Sequence, residues 1–285
     1  MGNPDIKMIG FDLDGTLLTS GKELSEYTKE ILREAAQRGI VLLPATGRPL
    51  CGLPEEIRNF PGIRYALTAN GARVLDLEEN RVLYEKLVPY ETAEKLLDIF
   101  LKYDAIVEVY YDGVGYAQED KLWRIEEFFP QRPMAEYVMS TRRSVKDIRK
   151  KLEETGRPSD KIQAVFKTPE EKDIVLKEVV SEVEGIEAVS SLGHNIEVNV
   201  KGVNKGDALV RLGGMLGIRQ EEIMAFGDGE NDIAMMEAVG VGIAMANGLD
   251  AVKAAARYVT ASNDEDGVAK AIIEYVLKQE DRRNG

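Results

Sequence analysis

The sequence predicts an α/β protein: a doubly wound parallel-sheet core with an inserted α+β domain. Three observations predict it. Short apolar segments alternate with amphipathic, helix-length ones over residues 6–67 and again from Lys205, the order that builds parallel βαβ units. Between them the order changes to hairpins and separate helices. Turns rich in carboxylates, hydroxyls or glycine follow three of the outer apolar segments, where an open parallel sheet binds its ligands. The expected division is 1–84 for the first part of the core, 85–196 for the insert and 197–285 for the rest of the core.

Residues 6–11 read as a buried strand. A helix follows, capped by Ser25, with Tyr27, Ile31, Leu32 and Ala35 as its apolar stripe and Gly39 as its stop. Residues 40–43 form the next strand, entering Ala45-Thr46-Gly47-Arg48, and a short strand at 65–67 leads to Asn70-Gly71. In the insert, 92–103 reads as a helix, and strands at 105–111 and 114–117 flank the hairpin turn Asp112-Gly113. Helices are expected over 121–129, with Trp123, Ile125 and Phe128 available to pack, and over 144–154. After a strand at 162–166, Thr168, Pro169 and Glu171 open a helix as cap, first residue and capping-box partner. Strands at 186–190 and 196–200 complete this stretch. The core resumes with a helix at 206–216, a strand at 223–226, and a helix at 232–238 that Gly240 stops. Strands at 241–245 and 258–260 and a helix at 268–278 follow.

Composition narrows the function. Of 285 residues, 44% are apolar and 31% charged, as in ordinary globular proteins, and no run reaches the ~18 apolar residues of a membrane span. The start, Met1 to Ile6, has neither a basic region before an apolar run nor a Ser or Thr where myristoylation needs one. One cysteine, Cys51, excludes an internal disulfide and fits a reducing, cytoplasmic location; it reads as a small packed side chain. A net charge of −13 with no dense basic cluster (Arg282-Arg283 comes nearest) argues against nucleic acid. Nothing points to a membrane or to an obligate protein partner. The single histidine, His194, excludes multi-histidine zinc sites and reads as structural or exposed rather than catalytic. The chemistry therefore falls to carboxylates, lysine, arginine, hydroxyls and a metal.

Phe11-Asp12-Leu13-Asp14-Gly15-Thr16 is the most informative run. Side chains repeat their direction every second residue in extended backbone, so Asp12 and Asp14 point the same way where a buried strand opens into a loop. Like charges aimed at one spot are unfavourable unless a cation lies between them or one takes a proton. That suits a divalent metal and a reaction needing a nucleophile and an acid/base. Thr46-Gly47-Arg48 and Gly227-Asp228-Gly229-Glu230-Asn231-Asp232 also end sheet strands, and Lys205-Gly206 opens a helix that can reach the same edge.

These four runs match, in order, the four motifs of the haloacid dehalogenase superfamily of phosphohydrolases, which the chain resembles over nearly its whole length. The insert between the second and third motifs resembles the C2B cap of the Cof-type, subfamily IIB sugar phosphatases. The resemblance implies a Rossmann-like core and a cytoplasmic phosphatase acting on a small phosphorylated metabolite, such as a sugar phosphate or similar phosphomonoester. It implies Asp12 as nucleophile, forming an aspartyl-phosphate, and Asp14 as general acid and then base. Mg²⁺ would be held by Asp12, the carbonyl of Asp14 and Asp228, with Asp232 orienting a metal-bound water. The Thr46 hydroxyl, the N–H groups of Leu13 and Gly47, the Lys205 ammonium and the Asn231 amide would hold the phosphate. Hinges are expected near 82–88 and 192–202. Tyr110, Tyr116, Trp123 and Arg142 are candidate specificity residues on the cap.

Each feature has a plainer reading. Asp12 to Glu23 has the length of a calcium loop, but its glycine stands at the fourth position and a strand precedes it. Thr46-Gly47-Arg48 alone is an ordinary turn, Lys205 alone a solvated lysine, and Asp232 alone a helix N-cap. Arg48 fits a substrate or cap contact and a surface salt bridge equally well. Met235 and Met236 read as core, and Gly202 to Gly206 lacks the spacing of a phosphate-binding Walker loop. Two other functions fit part of this pattern: a phosphosugar mutase of similar layout, which needs a second phosphate site, and a phospho-accepting signalling module, which also uses an acceptor Asp, Mg²⁺, a Thr and a Lys on a doubly wound sheet but needs no insert.

Overall fold

The computed structural model describes residues 5–278; Arg282-Arg283 and residues 1–4 lie outside them. Its strands are β1 Met8–Phe11, β2 Val41–Pro44, β3 Tyr65–Thr68, β4 Arg73–Asp76, β5 Arg81–Glu85, β6 Ile106–Tyr111 and β7 Val114–Gln118. They continue as β8 Arg142–Val145, β9 Ile162–Val165, β10 Ile186–Val189, β11 Asn195–Val200, β12 Ile223–Gly227, β13 Val241–Ala244 and β14 Tyr258–Val259.

The first sheet has the order β14-β13-β12-β1-β2, with every neighbour parallel. Parallel bridges Leu42–Ile63 and Ala45–Leu67 carry it on to β3. The four residues of β1 are all buried, as a strand covered on both faces requires. Helices Glu26–Gln37 and Gly267–Ile272 cover one face, where Leu32 and Ile272 meet Ile9 and Phe11. Helices Lys205–Met215 and Ile233–Ala238 cover the other, where Leu209, Met235 and Met236 meet Met8 and Ala225. This is the predicted doubly wound α/β core. In register, Phe11 faces Phe226 and Pro44, so the turns after β1, β2 and β12 open side by side on one edge.

The second sheet has the order β10-β11-β9-β6-β7-β8, antiparallel except for β7–β8. Helices Tyr90–Phe100, Ile148–Thr155 and Pro169–Glu182 pack on one face, and the short helices between 119 and 141 on the other. The Asp112-Gly113 turn has both residues at positive φ, as its hairpin demands. Thr168 caps its helix by accepting from the Glu171 N–H, while the Glu171 carboxylate reaches back one residue further than expected, to the Lys167 N–H. Among the described residues no helix is long and apolar enough to cross a membrane.

Several expectations need correction. The anticipated end of the insert, residue 196, falls within β11, which pairs with β9 and β10 and so stays with the second sheet. The helix read over 144–154 divides into the edge strand β8 and a helix that starts after Asp147, whose carboxylate caps the Arg149 and Lys150 N–H groups. Helix Arg132–Thr141 and the antiparallel pair β4–β5 were not expected. All four residues of β4 are buried, which removes the alternation that marks a strand in sequence. Tyr27 is 45% exposed and Thr28 takes its place in the buried stripe. Trp123 is 75% exposed, between two short helices, and Cys51 is exposed rather than packed.

Candidate active site

Asp12 follows β1 directly, and its N–H continues the ladder to the carbonyl of Phe226 on β12. Its Oδ1 accepts from Lys205 Nζ at 2.7 Å, and the same ammonium donates to Asp232 Oδ1 at 2.7 Å. Lys205 has no exposed surface, which overturns the solvated reading. Helix Lys205–Met215 starts at this edge because Asn204 caps it through the Asp207 N–H, and its first side chain then lies between the two carboxylates. Asp232 is not a forward N-cap: its Oδ2 accepts from the N–H groups of Asp228 and Gly229 behind it.

Asp228 completes the acidic group. One oxygen from each of Asp12, Asp228 and Asp232 lies within 4.8 Å of the others. Thr16 Oγ1 donates to Asp228 Oδ1 at 2.6 Å. Gly15 is required twice over: its φ is +80°, and a Cβ there would stand 2.4 Å from Asp228 Oδ2. Hard carboxylate oxygens this close could hold a divalent metal ion, although both Asp232 oxygens already accept bonds, from Lys205 and from the Asp228 and Gly229 N–H groups.

Burial pushes the Asp12 carboxyl well up, against the opposing pull of Lys205, and the neighbouring carboxylates push the same way. Burial and the Asp232 charge raise Asp228 to about 6. Lys205 is itself held above its usual range, because the two carboxylates outweigh its burial.

Asp14 stands in a different setting. Burial alone would raise its pKa, but two Arg48 hydrogen bonds and the charges of Arg48 and Lys22 hold it well below the usual range. Arg48 grips it at both oxygens, Nε to Oδ2 at 2.6 Å and Nη2 to Oδ1 at 2.7 Å, and Lys22 Nζ adds a contact at 2.6 Å. Arg48 is buried, not a surface residue; its guanidinium also donates to the Gly52 carbonyl and lies 4.2 Å from the centre of the Tyr137 ring. Leu13, between the two aspartates, is buried and its carbonyl accepts from the Leu18 N–H.

The turn after β2 brings Thr46 and Gly47 to the same place. Asp12, Asp14, Thr46 and Gly47 line a cavity of about 60 Å³, closed from the insert by Arg142, Lys161 and Glu197. Lys161 Nζ donates to the Gly47 carbonyl at 2.8 Å and to Glu197 Oε2 at 2.7 Å, both residues being buried. Burial lowers Lys161, whereas Lys161 and its hydrogen bonds overcome burial to lower Glu197. Of the four candidate specificity residues, Arg142 lines the cavity and pairs with Glu108. Tyr110 lies behind it, 5.3 Å from the guanidinium, while Tyr116 and Trp123 stand outside the lining.

Asn231 is buried, but its amide donates to Asn70 Oδ1 at 3.1 Å. Asn70 was read only as part of the segment that a short strand leads into. It is a junction: its N–H donates to the Thr46 carbonyl and its amide to Glu197 Oε2 at 2.7 Å. Ala69 and Asn70 both hold positive φ, a strained pair that these bonds fix. Two consecutive non-glycine residues cannot announce such a turn in sequence.

A sequence profile of the haloacid dehalogenase-like hydrolases matches residues 9–272. The chain belongs to the haloacid dehalogenase-like hydrolases. It is 33% identical to the 5-amino-6-(5-phospho-D-ribitylamino)uracil phosphatase YcsE of Bacillus subtilis (strain 168), over 96% of this chain and 97% of that one. A solved haloacid dehalogenase-like hydrolase from B. subtilis superposes with a TM-score of 0.84, at 29% identity over 95% of this chain and all of that chain. The subclass IIB sugar phosphatase BT4131 superposes with a TM-score of 0.79, at 26% identity over 94% and 98%. The activity class is accordingly that of the family's phosphatases, hydrolysis of phosphoric monoesters on small molecules.

Proposed function

We propose that this chain is a Mg²⁺-dependent phosphatase of small phosphorylated metabolites, sugar phosphates or similar monoesters, and that it works through an aspartyl-phosphate on Asp12. The observation that carries the reading is the position of Asp12. It shares the buried Lys205 with Asp232, stands beside Asp228, and opens into the cavity that holds Thr46 and Gly47. An Asp12 carboxylate oxygen attacks phosphorus and the ester P–O bond breaks, with Asp14 protonating the departing oxygen. Asp14 then takes a proton from water, the hydroxide attacks phosphorus, and the P–O bond to Asp12 breaks to release phosphate. Arg48 and Lys22 hold Asp14 in the charged form that suits the second step; the first requires it to leave that pair and carry a proton.

Asp12, the Asp14 carbonyl and Asp228 would hold Mg²⁺, with Asp232 beside them, and the ion would offset charge on the phosphate when bound. Lys205 balances the carboxylates, and Thr46, Gly47 and the Leu13 N–H border the phosphate position. The core is assigned to 1–84 and 201–285 and the cap to 85–200, so that β11 through Val200 belongs to the cap, which excludes water when docked. Lys86 Nζ donates to the Lys201 carbonyl at 2.8 Å, so the two crossing segments run together at the hinge. Against a mutase, the insert cations at the cavity are already paired, Arg142 with Glu108 and Lys161 with Glu197. Phosphate release from a panel of phosphomonoesters, with Mg²⁺ and with EDTA, tests the reading; a panel without Mg²⁺-dependent release overturns it.

Two expectations arise here. Asp12 and Asp228 ionise later in the folded chain than in the unfolded one, so above about pH 4 the folded state keeps protons that the unfolded state has lost, and metal-free stability falls as pH rises through that window. In EDTA the Tm is expected to be lower at pH 8 than at pH 5, and added Mg²⁺ to raise it more at pH 8. A metal-free Tm that climbs over this range contradicts the assignment. Gly47→Ala would place a Cβ 2.9 Å from both Asn70 Oδ1 and Glu197 Oε2. The cap contact or the phosphate turn must then shift, and kcat/KM is expected to fall on the order of 10²-fold, as small misplacements do. Wild-type kinetics in this variant would remove Gly47 from the site.

A further inference from the structure

An ion pair with both side chains buried joins the core to the cap. Arg73, the first residue of β4, donates from Nε to Asp160 Oδ1 at 2.9 Å, and the two side chains are 7% and 1% exposed. Its other nitrogens reach Asp112 Oδ1 at 3.0 Å and, at the end of β5, Glu85 Oε2 at 3.2 Å. Asp112 is exposed and is also paired with Arg157, which makes it the weaker of the two cap anchors. Asp160 is seated from the cap side as well. Its Oδ2 accepts from the Gly113 N–H at 2.6 Å, and its own N–H donates to the Tyr110 carbonyl at 2.7 Å. Burial raises its carboxyl, against the pull of Arg73.

Neither Arg73 nor Asp160 lines the cavity at Asp12, yet the pair reaches it through the chain. Asp160 immediately precedes Lys161, whose Nζ donates to the Gly47 carbonyl. Gly113, bonded to Asp160, accepts at its carbonyl from the Cys51 N–H at 2.9 Å, a second crossing between cap and core. The Asp160 carbonyl accepts at 3.1 Å from the Asn199 amide, which also donates to the Ala69 carbonyl at 3.1 Å, beside Asn70. The energetics favour one role for the guanidinium. With the cap docked, a carboxylate at this depth without Arg73 has lost both water and its cation; with the cap lifted, water reaches it. Removing Arg73 therefore penalises the docked arrangement and spares the lifted one.

We propose that Arg73 is a positioning residue for turnover: through Asp160 it holds the cap against the core, and so sets the fraction of molecules in which Lys161 rests on the Gly47 turn. The inference rests on the phosphatase reading for its kinetic readout and is independent of it for its exchange readout. The test takes the full chain with Mg²⁺ and p-nitrophenyl phosphate, and hydrogen exchange followed by mass spectrometry. In Arg73→Met, KM is expected to rise about tenfold with kcat within about twofold of wild type, because apparent affinity scales with the docked fraction and saturating substrate draws the cap back. Exchange in the peptide carrying the Cys51 N–H is expected to quicken about tenfold, while the amides of β1 and β12 exchange as in the wild type. Arg73→Lys, which keeps the charge, is expected to recover most of the KM. Asp160→Asn, whose amide oxygen can still accept from Gly113, is expected to show a smaller rise, and decides with Arg73→Lys if Arg73→Met does not fold. Wild-type KM and wild-type exchange in the variants that lose the pair overturn the assignment. So does exchange that quickens equally in β1 and β12, which marks a general loss of stability. Absence of turnover in the wild type, with the Cys51 exchange difference present, overturns the phosphatase reading and leaves the docking role standing.

Discussion

Asp12→Asn is expected to lower phosphatase turnover by on the order of 10⁴-fold or more, the scale set by loss of a covalent nucleophile. The amide keeps the shape of the carboxylate but cannot displace the ester oxygen. The fold should survive, because Lys205 keeps its contact with Asp232 Oδ1 and a crowded buried charge is removed. The Tm of the metal-free variant should therefore equal or exceed that of the wild type at pH 8, where Asp12 is least favourable. Two measurements decide the matter. Acid-quenched wild-type protein should carry a phosphoryl label from labelled substrate and the variant none, while both give the same far-UV spectrum. A variant turning over at the wild-type rate would remove Asp12 from the chemistry.

What could be read from the sequence follows from where its information lies. Asp12 and Asp14 were legible because strand periodicity acts over two residues, and the topology of adjacent turns followed from βαβ order. Lys205 gained meaning only beside the other runs, since nothing local says that a lysine after a cap will be buried. The Lys161–Glu197–Asn70–Asn231 connection was not legible at all. Its members come from separate strands and turns, and each taken alone is an ordinary polar residue. β8 was misread for a related reason: Arg142-Arg143-Ser144-Val145 is an edge strand with little burial, and polar edge strands lack the alternation that identifies a buried face. Asp14 shows the same limit in electrostatics. Its position was plain, but the guanidinium that sets its charge lies 34 residues away in sequence.

Lys205→Met is expected to be the most destabilising single change in the core. It is nearly isosteric, so packing against the helix persists, yet it leaves Asp12 and Asp232 buried without their shared cation. Breaking a buried pair by removing one partner destabilises by about 3–5 kcal/mol, because the remaining charge has lost both water and partner. Here two carboxylates lose the same ammonium, and Asp228 adds a third negative group within 4.8 Å. The midpoint of urea unfolding in EDTA should fall accordingly, and turnover should fall with it. A second substitution separates the causes. Asp232→Asn placed on Lys205→Met removes one of the unpaired charges, so the double variant should recover part of the lost stability while turnover stays low. That is a non-additive result of the kind neighbouring charges give. Additive losses, or a Lys205→Met protein as stable as the wild type, would mean that the ammonium does not balance these carboxylates.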